Sequence, residues 1–505
     1  MHSLYTVADI RKIEQAAKLR SAQESLMQHA GRSAAELSLQ MISKPFNDAH
    51  VLVMAGPGDN GGDALVAAAQ LAENGVRVTV LLYADPHTQS ADAAQGLRQA
   101  QASKAEFAKT DIISATLAMV ASTQWALIID GLFGTGLKRA ITGDLQSLVL
   151  AINTLRCPVL ALDVPSGLDA DTGNIIGADG IAVRASRTLT YIADKPGLHT
   201  CSGRDVAGEV QIERLDIASA LYPQPHLFLN TPELFSHLLK PRRHNTHKGS
   251  YGDVAVVGGA QGMAGAAILS ARAALHCGAG RVYAVCLDGT LAFDPQQPEL
   301  MCRAVHEFAF GTHILVVGPG LGQSRPAADV LAKALHTHLP LVLDADALNL
   351  LALESNLQPI AAHRNAATII TPHPLEAARL LAISSAEVQQ DRMAAARALA
   401  ERFNAVVILK GSGTVIASPD NTIVINPTGN PGLATAGTGD VLSGICAALL
   451  AQDIPPWEAA LAATWVHGRA ADMLAEQQGG PIGMTASELI PAVRQILNNE
   501  IARQI

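Results

Sequence analysis

The chain has no surplus of positive charge. Its 36 Lys and Arg residues face 45 Asp and Glu, a formal charge of -9, which argues against a general nucleic-acid binder with its broad basic footprint. A local basic site for phosphates is compatible with that balance. Aromatic side chains make up only 4%, which tilts the fold away from a β-sandwich and towards closely packed α/β layers. The six cysteines, Cys157, Cys201, Cys277, Cys286, Cys302 and Cys446, form no C-x-x-C pair and read as buried thiols of a reducing compartment. No apolar run approaches the roughly 18 residues of a membrane span, and MHSLYTVADIRKIEQ lacks the apolar core of a signal peptide. A cytoplasmic protein without membrane or nucleic-acid partners is expected. No G-x-x-x-x-G-K-[ST] occurs, so a P-loop nucleotide site is excluded.

What is abundant is small and apolar. Hydrophobic residues reach 49% and charged ones 16%, enough for a large core. A length of 505 residues exceeds one ordinary domain. VLVMAGPGDNGGDALVAAAQLAENGVRVTVLLYADP (51–86) is a strand–turn–helix–strand unit, with further strands expected in ALIIDGLFG (126–134), PVLALDVPSG (158–167) and RTLTYI (187–192). The rhythm breaks around 215–247, where four prolines precede a basic stretch. A second alternating set runs through DVAVVGGAQG, ILVVGPGLG, LPLVLDADAL, ATIITPHP and AVVILKGSGTVIAS. Two independent α/β domains are expected, residues 1–225 and 226–505, each with a mostly parallel sheet and its chemistry at strand C-terminal ends.

In the second half, VVGGAQG, VVGPGLG, LKGSGT and AGTGD read as glycine turns following strands on one sheet edge. Any one alone is an ordinary tight turn; together they point to a ligand. The amides of Ala436 to Gly439, with a helix starting near Val441, suit an oxyanion. Asp440 then stands ready to take a proton from an acceptor hydroxyl, the alternative being a plain helix N-cap. Lys410 meets a nucleotide phosphate or is simply a solvated turn lysine.

HKGSYGDVAVVGGAQGMAGAAILSARAALHCGAG, GPGLG, LDADALNLL, TPHPLEAARL, LKGSGT and NPTGNPGLATAGTGDVLSG resemble, in this order, the NAD(P)H-hydrate dehydratase family of ribokinase-like fold. The resemblance implies ADP-driven dehydration of the S hydrate of NADH or NADPH, giving AMP and phosphate, with Mg²⁺ on the donor. It implies Asp440 as the base, Ala266, Gly320, His373 and Asp440 around the hydrate, and Lys410, Gly411, Ser412, Gly413, Thr414 and Gly439 around the nucleotide. Leu375 stands where the family has glycine.

In the first half, GPGDNGG satisfies G-x-G-x-x-G after a strand, with Asp85 after the next strand, as in a Rossmann dinucleotide site. Asn60 and Asp63 add side chains that such a turn does not need. IIDGLFGTGLKR and LDVPSGLDADTG converge on the same edge, and oxygens of Asn60, Asp130 and Ser166 suit a hard cation, unless each merely caps a turn. These three motifs resemble the NAD(P)H-hydrate epimerase family, a Rossmann-like three-layer fold. The resemblance implies K⁺ on Asn60, Asp130 and Ser166. It places the hydrate against Asp59, Asn60, Gly61, Gly62 and Asp63, against Gly134, Thr135, Gly136, Leu137, Lys138, Arg139 and Ala140, and against Asp163. Asp163 is the acid/base candidate. Asp59 and Ala64 replace the family's asparagine and glycine.

A bifunctional repair enzyme acting on NADHX and NADPHX, and assembling as a homo-oligomer, is therefore expected. The competing expectation is a ribokinase-like small-molecule kinase fused to a non-catalytic nucleotide-binding module.

Overall fold

The computed structural model describes residues 1–19, 25–43, 45–84, 89–288, 292–311 and 313–503; Asp85 lies outside them. The chain divides into two compact units, Ser3–Pro225 and His226–Ile505 together with Met1–His2.

In the first unit, helices α1 (Val7–Lys18) and α2 (Leu26–Met41) precede strand β1 (His50–Ala55), helix α3 (Asp59–Glu73), and strands β2 (Arg77–Leu82) and β3 (Glu106–Ala108). Strands β4 (Leu127–Gly131), β5 (Val159–Leu162), β6 (Arg187–Tyr191) and β7 (Glu209–Glu213) follow. The sheet order is β3-β2-β1-β4-β5-β6-β7, parallel throughout. Along β1, Val51, Val53 and Ala55 enter one core and Leu52 and Met54 another. Both faces are thus covered, which is why VLVMA is apolar at every position. The order reverses between β1 and β4, opening a crevice at their C-terminal ends.

The motif after β1 differs from the expected long glycine turn. Helix α3 already starts at Asp59, capped by Gly58, so NGGD forms its first turn. A Cβ on Gly61 would lie 2.0 Å from the Gly56 carbonyl oxygen; glycine lets the helix press onto the strand end. Ala64 is fully buried, and its methyl packs against Gly131, where an added Cβ would come within 2.5 Å.

The second unit contains β8 (Leu227–Leu229), β9 (Asp253–Gly258), α4 (Ala264–His276), β10 (Arg281–Cys286), β11 (Met301–Ala304), β12 (Ile314–Val317) and β13 (Leu341–Leu343). It continues with β14 (Thr368–Ile370), α5 (Pro374–Leu381), β15 (Val406–Leu409), β16 (Val415–Ala417), β17 (Ile423–Ile425), α6 (Thr438–Ala451) and α7 (Pro456–Gln478). These strands lie in the order β8-β17-β16-β15-β14-β13-β12-β9-β10-β11. Pairing is parallel except for β15 with β16 and β16 with β17. AVVILKGSGTVIAS is therefore a hairpin, and Lys410–Thr414 is its turn. AGTGD ends no strand: it opens α6 after a 3₁₀ turn at Pro431–Leu433. The small residues of α4 and α6 permit a close crossing, since a Cβ on Gly444 would lie 2.1 Å from the Ser270 carbonyl oxygen.

Among the described residues no helix is long and apolar enough to cross a membrane, and the six cysteines are free thiols.

Candidate active sites

A cavity of about 710 Å³ opens at the crevice of the first unit, within the roughly 300–1,000 Å³ of small-molecule sites. Asp59, Asn60, Asp63, Gly134 to Arg139 and Asp163 line it. Gly61, Gly62 and Ala140 stand outside the lining: Gly61 lies under Gly56, Gly62 against Met27, and Ala140 against Gly177.

Asp130 and Ser166 form one buried knot below this cavity. The Asp130 carboxylate accepts from the Ser166 amide at 2.8 Å, the Ser166 hydroxyl at 2.7 Å and the Leu132 amide at 3.2 Å. Phe133 donates its amide to Ser166 Oγ at 2.8 Å, so the knot sets the start of the 132–140 turn. Burial raises the Asp130 carboxyl to about 6, with the Ser166 bonds opposing. Asn60 is 7% exposed, and both its amide oxygen and nitrogen lack a partner. A buried orphan amide of this kind calls for a ligand, and its oxygen belongs to the donor set that suits a hard cation.

Asp163 and Ile192 end adjacent strands in the left-handed region, with φ of 64° and 70°. Val164 donates to the Leu162 carbonyl across Asp163, and Ala193 to that of Tyr191 across Ile192, each at 2.8 Å. These are γ-turns of the rare positive-φ hand, storing about 1–3 kcal/mol apiece. Lys195, which the sequence motifs did not single out, is fully buried and ion-pairs with Asp163 at 2.8 Å. Asp63 is held well above the ordinary carboxyl range by burial and by the negative charges of Asp163 and Asp59. The cavity thus offers one carboxyl whose ionisation burial opposes and a second held by a buried lysine, two differently placed groups of the kind acid/base chemistry uses.

In the second unit, Asp440 lies in the first turn of α6, and Gly437 is the N-cap at φ 90°. The plain N-cap alternative for Asp440 is thereby ruled out. The helix starts at Thr438 rather than near Val441; the Thr438 amide reaches back to the Thr435 carbonyl at 3.4 Å, and the Gly439 amide that follows lies in the first turn, where the helix end favours an anion. Burial, followed by the charge of Asp344, raises the Asp440 carboxyl to about 7; Lys410 opposes.

Lys410 follows β15 and bonds Asp344, at the end of β13, at 2.8 Å. A Cβ on Gly439 would lie 3.3 Å from its Nζ, so the ammonium sits under the start of α6. Burial pulls the Lys410 ammonium down, but Asp344, Glu376 and Asp440 outweigh it and leave it raised. Gly411, at φ 144°, packs where a Cβ would strike the buried Arg392 guanidinium at 2.4 Å. Two cations therefore underlie the LKGSGT turn.

His373 N-caps α5, its Nδ1 accepting from the amides of Leu375 and Glu376 at 3.1 and 3.4 Å. Leu375, the departure from the family pattern, points outward at 47% exposure, and the cap forms around it. Glu376 is buried, raised to about 7 by its burial, with its carboxylate 3.2 Å from His373 Nε2. Gly320, at φ 60°, packs beside Ala266 and the Met263 carbonyl. Asp344 and Glu376, inside LDADAL and TPHPLEAARL, are further chemical groups that the motifs alone do not single out. A second cavity of about 800 Å³, by Arg242, Tyr251 and Gln452, contains none of the expected site residues.

A family model described as NAD(P)H-hydrate dehydratase matches residues 254–495, and one described as YjeF-related protein N-terminus matches residues 23–197. The bifunctional NAD(P)H-hydrate repair enzyme Nnr of Escherichia coli (strain K12) is 38% identical over 513 residues, covering 99% of this chain and 95% of that protein. The ADP-dependent (S)-NAD(P)H-hydrate dehydratase of Neisseria meningitidis serogroup B is 47% identical over 277 residues, 54% of this chain and 93% of that protein. A solved ADP/ATP-dependent NAD(P)H-hydrate dehydratase from Bacillus subtilis, co-crystallised with ATP and Mg²⁺, is 29% identical, covering 54% of this chain and 98% of that one at a TM-score of 0.48. A Rossmann-like unit followed by a ribokinase-like α/β unit, matched along nearly its whole length, makes this chain a member of the bifunctional NAD(P)H-hydrate repair enzyme family.

Proposed function

We propose that residues 226–505 dehydrate the S hydrate of NADH or NADPH and that residues 1–225 interconvert the R and S forms. The chain is an enzyme of nicotinamide-nucleotide repair, epimerising NAD(P)H hydrates and dehydrating them at the expense of ADP. The single observation behind our assignment of roles is Asp440: a half-buried carboxyl raised to about 7 in the first turn of a helix, beside an ammonium.

Hydroxide is a poor leaving group. Asp440 takes the proton of the hydrate hydroxyl as its oxygen attacks the terminal phosphorus of ADP, and AMP departs. The amides opening α6 receive the transferring phosphoryl oxygens, while Lys410 to Thr414, over Arg392, hold the donor phosphates. The nicotinamide nitrogen then pushes phosphate from the ring, and loss of the neighbouring carbon's proton restores the double bond. Mg²⁺ would arrive on the donor and would supply charge neutralisation there; among the described residues no group of three His, Cys, Asp or Glu forms a metal cage. His373, Ala266 and Gly320 line the hydrate pocket in this reading.

In the first unit, Asp163 moves the proton that inversion requires, and Asp59, Asn60 and Asp63 with Gly134 to Arg139 hold the hydrate. Asn60, Asp130 and Ser166 would hold K⁺, which would offset the buried Asp130 charge; the unpartnered Asn60 amide oxygen supports this reading.

The test incubates purified protein with mixed hydrates and ADP and follows the return of dihydronicotinamide absorbance, with AMP and phosphate as co-products. A stable phosphate ester of the substrate would instead identify a kinase. Unchanged epimer ratios with the isolated R form would leave the first unit a binding module.

A further inference from the structure

We infer that Lys195 is a positioning residue for epimerisation, fixing the Asp163 carboxylate in the one orientation from which it reaches the bound hydrate. This inference rests on the reading of Asp163 as the acid/base group.

A lysine of zero exposure needs a compelling set of partners, because an ammonium buried without them is far costlier than one in water. Lys195 Nζ has them: Asp163 Oδ1 at 2.8 Å, Thr190 Oγ1 at 2.7 Å, and the carbonyls of Tyr191 and Ala193 at 3.0 and 3.2 Å. Those carbonyls flank Ile192, the strained residue of one γ-turn, and Asp163 is the strained residue of the other. One buried cation therefore ties together both distorted strand ends.

The two oxygens of Asp163 are unequally engaged. Oδ1 takes the ammonium and also the Tyr191 amide at 3.3 Å. Oδ2 faces the Gly134 turn, 3.5 Å from where a Cβ on that glycine would stand. Gly134 and Asp163 both line the cavity. The lysine thus occupies the inner oxygen and leaves the outer one for the substrate. Backbone distortion at a functional carboxylate persists only where its surroundings over-determine it, and Lys195 is the side chain that does so. A lysine that merely stapled the 190–195 loop would have no need to take a reacting carboxylate as its counter-ion.

The experiment uses the full-length chain and follows the R to S ratio by chromatography for Lys195→Met, Asp163→Asn and the double variant. Lys195→Met, which keeps the side-chain length, is expected to lower the epimerisation kcat by about a hundredfold, with KM for the hydrate within about threefold. The double variant is expected to be no slower than Asp163→Asn alone, since two residues acting through one group are not additive. Near-normal kcat in Lys195→Met beside an inactive Asp163→Asn, or losses that multiply in the double variant, would overturn the inference. Full turnover in Asp163→Asn would instead refute the acid/base reading on which it rests. Should Lys195→Met fail to fold, Thr190→Val removes one of the ammonium's holders at almost constant volume. A kcat loss of about tenfold at unchanged KM is then expected, and an unchanged kcat overturns the proposal.

Discussion

The ammonium of Lys410 lies 2.8 Å from a carboxylate oxygen of Asp344, whose side chain is 1% exposed. This pair lies beneath the proposed phosphoryl-transfer site. The Lys410 side chain is 21% exposed, but removing it strands the buried Asp344 charge, at up to about 3–5 kcal/mol. Lys410→Met is accordingly expected to destabilise the second unit by that amount in urea unfolding and to raise KM for ADP. Stability within about 1 kcal/mol of the parent would show that the pair is solvated in solution.

Asp440 must be ionised to accept a proton, and burial with the Asp344 charge raises its carboxyl to about 7. Activity carried by the ionised form is present above that value and lost below it. The dehydration kcat/KM should therefore climb through pH 7, falling about tenfold for each unit below. Asp440→Asn should cost about 10²- to 10⁴-fold in turnover while ADP still binds, as calorimetry would record. Retained turnover in this variant would remove Asp440 from the mechanism.

Asp163→Ala should halt interconversion of the R and S hydrates and leave dehydration of S hydrate intact, the two groups belonging to different units. Chromatography of a mixed hydrate pool then shows S consumed and R left behind. A parallel fall of both activities would refute the independence of the units.

Replacing K⁺ by tetramethylammonium should slow epimerisation without slowing dehydration, because Asn60, Asp130 and Ser166 all belong to the first unit. Asn60→Leu, which removes the orphan amide, should abolish the difference between the two salts. Equal epimerisation rates for the parent in both would exclude the cation from this knot.

The fold was legible where burial dictates composition. VLVMA has to be apolar on both sides because helices cover both sheet faces, and that pattern needs no tertiary information. The hairpin at Lys410–Thr414 was not legible: β16 is as apolar as a parallel strand, and chain direction leaves no trace in residue type. The early start of α3 was hidden because glycines read as a turn until the packing of Gly61 on Gly56 is seen. At the sites, Asp440 was recognisable from a turn that opens a helix. Asp344 and Lys195 were not, since each acquires its meaning from a counter-ion distant in sequence. A lone lysine in TYIADKPG looks like any surface lysine until its side chain is found with no exposed area.

Asp63, Asp163 and Lys195 belong to one compact unit, and Asp344, Lys410 and Asp440 to the other. Severing the polypeptide between Pro225 and His226 would deprive neither trio of a member. Co-expression of the two fragments should therefore still clear a mixed pool of both hydrate epimers.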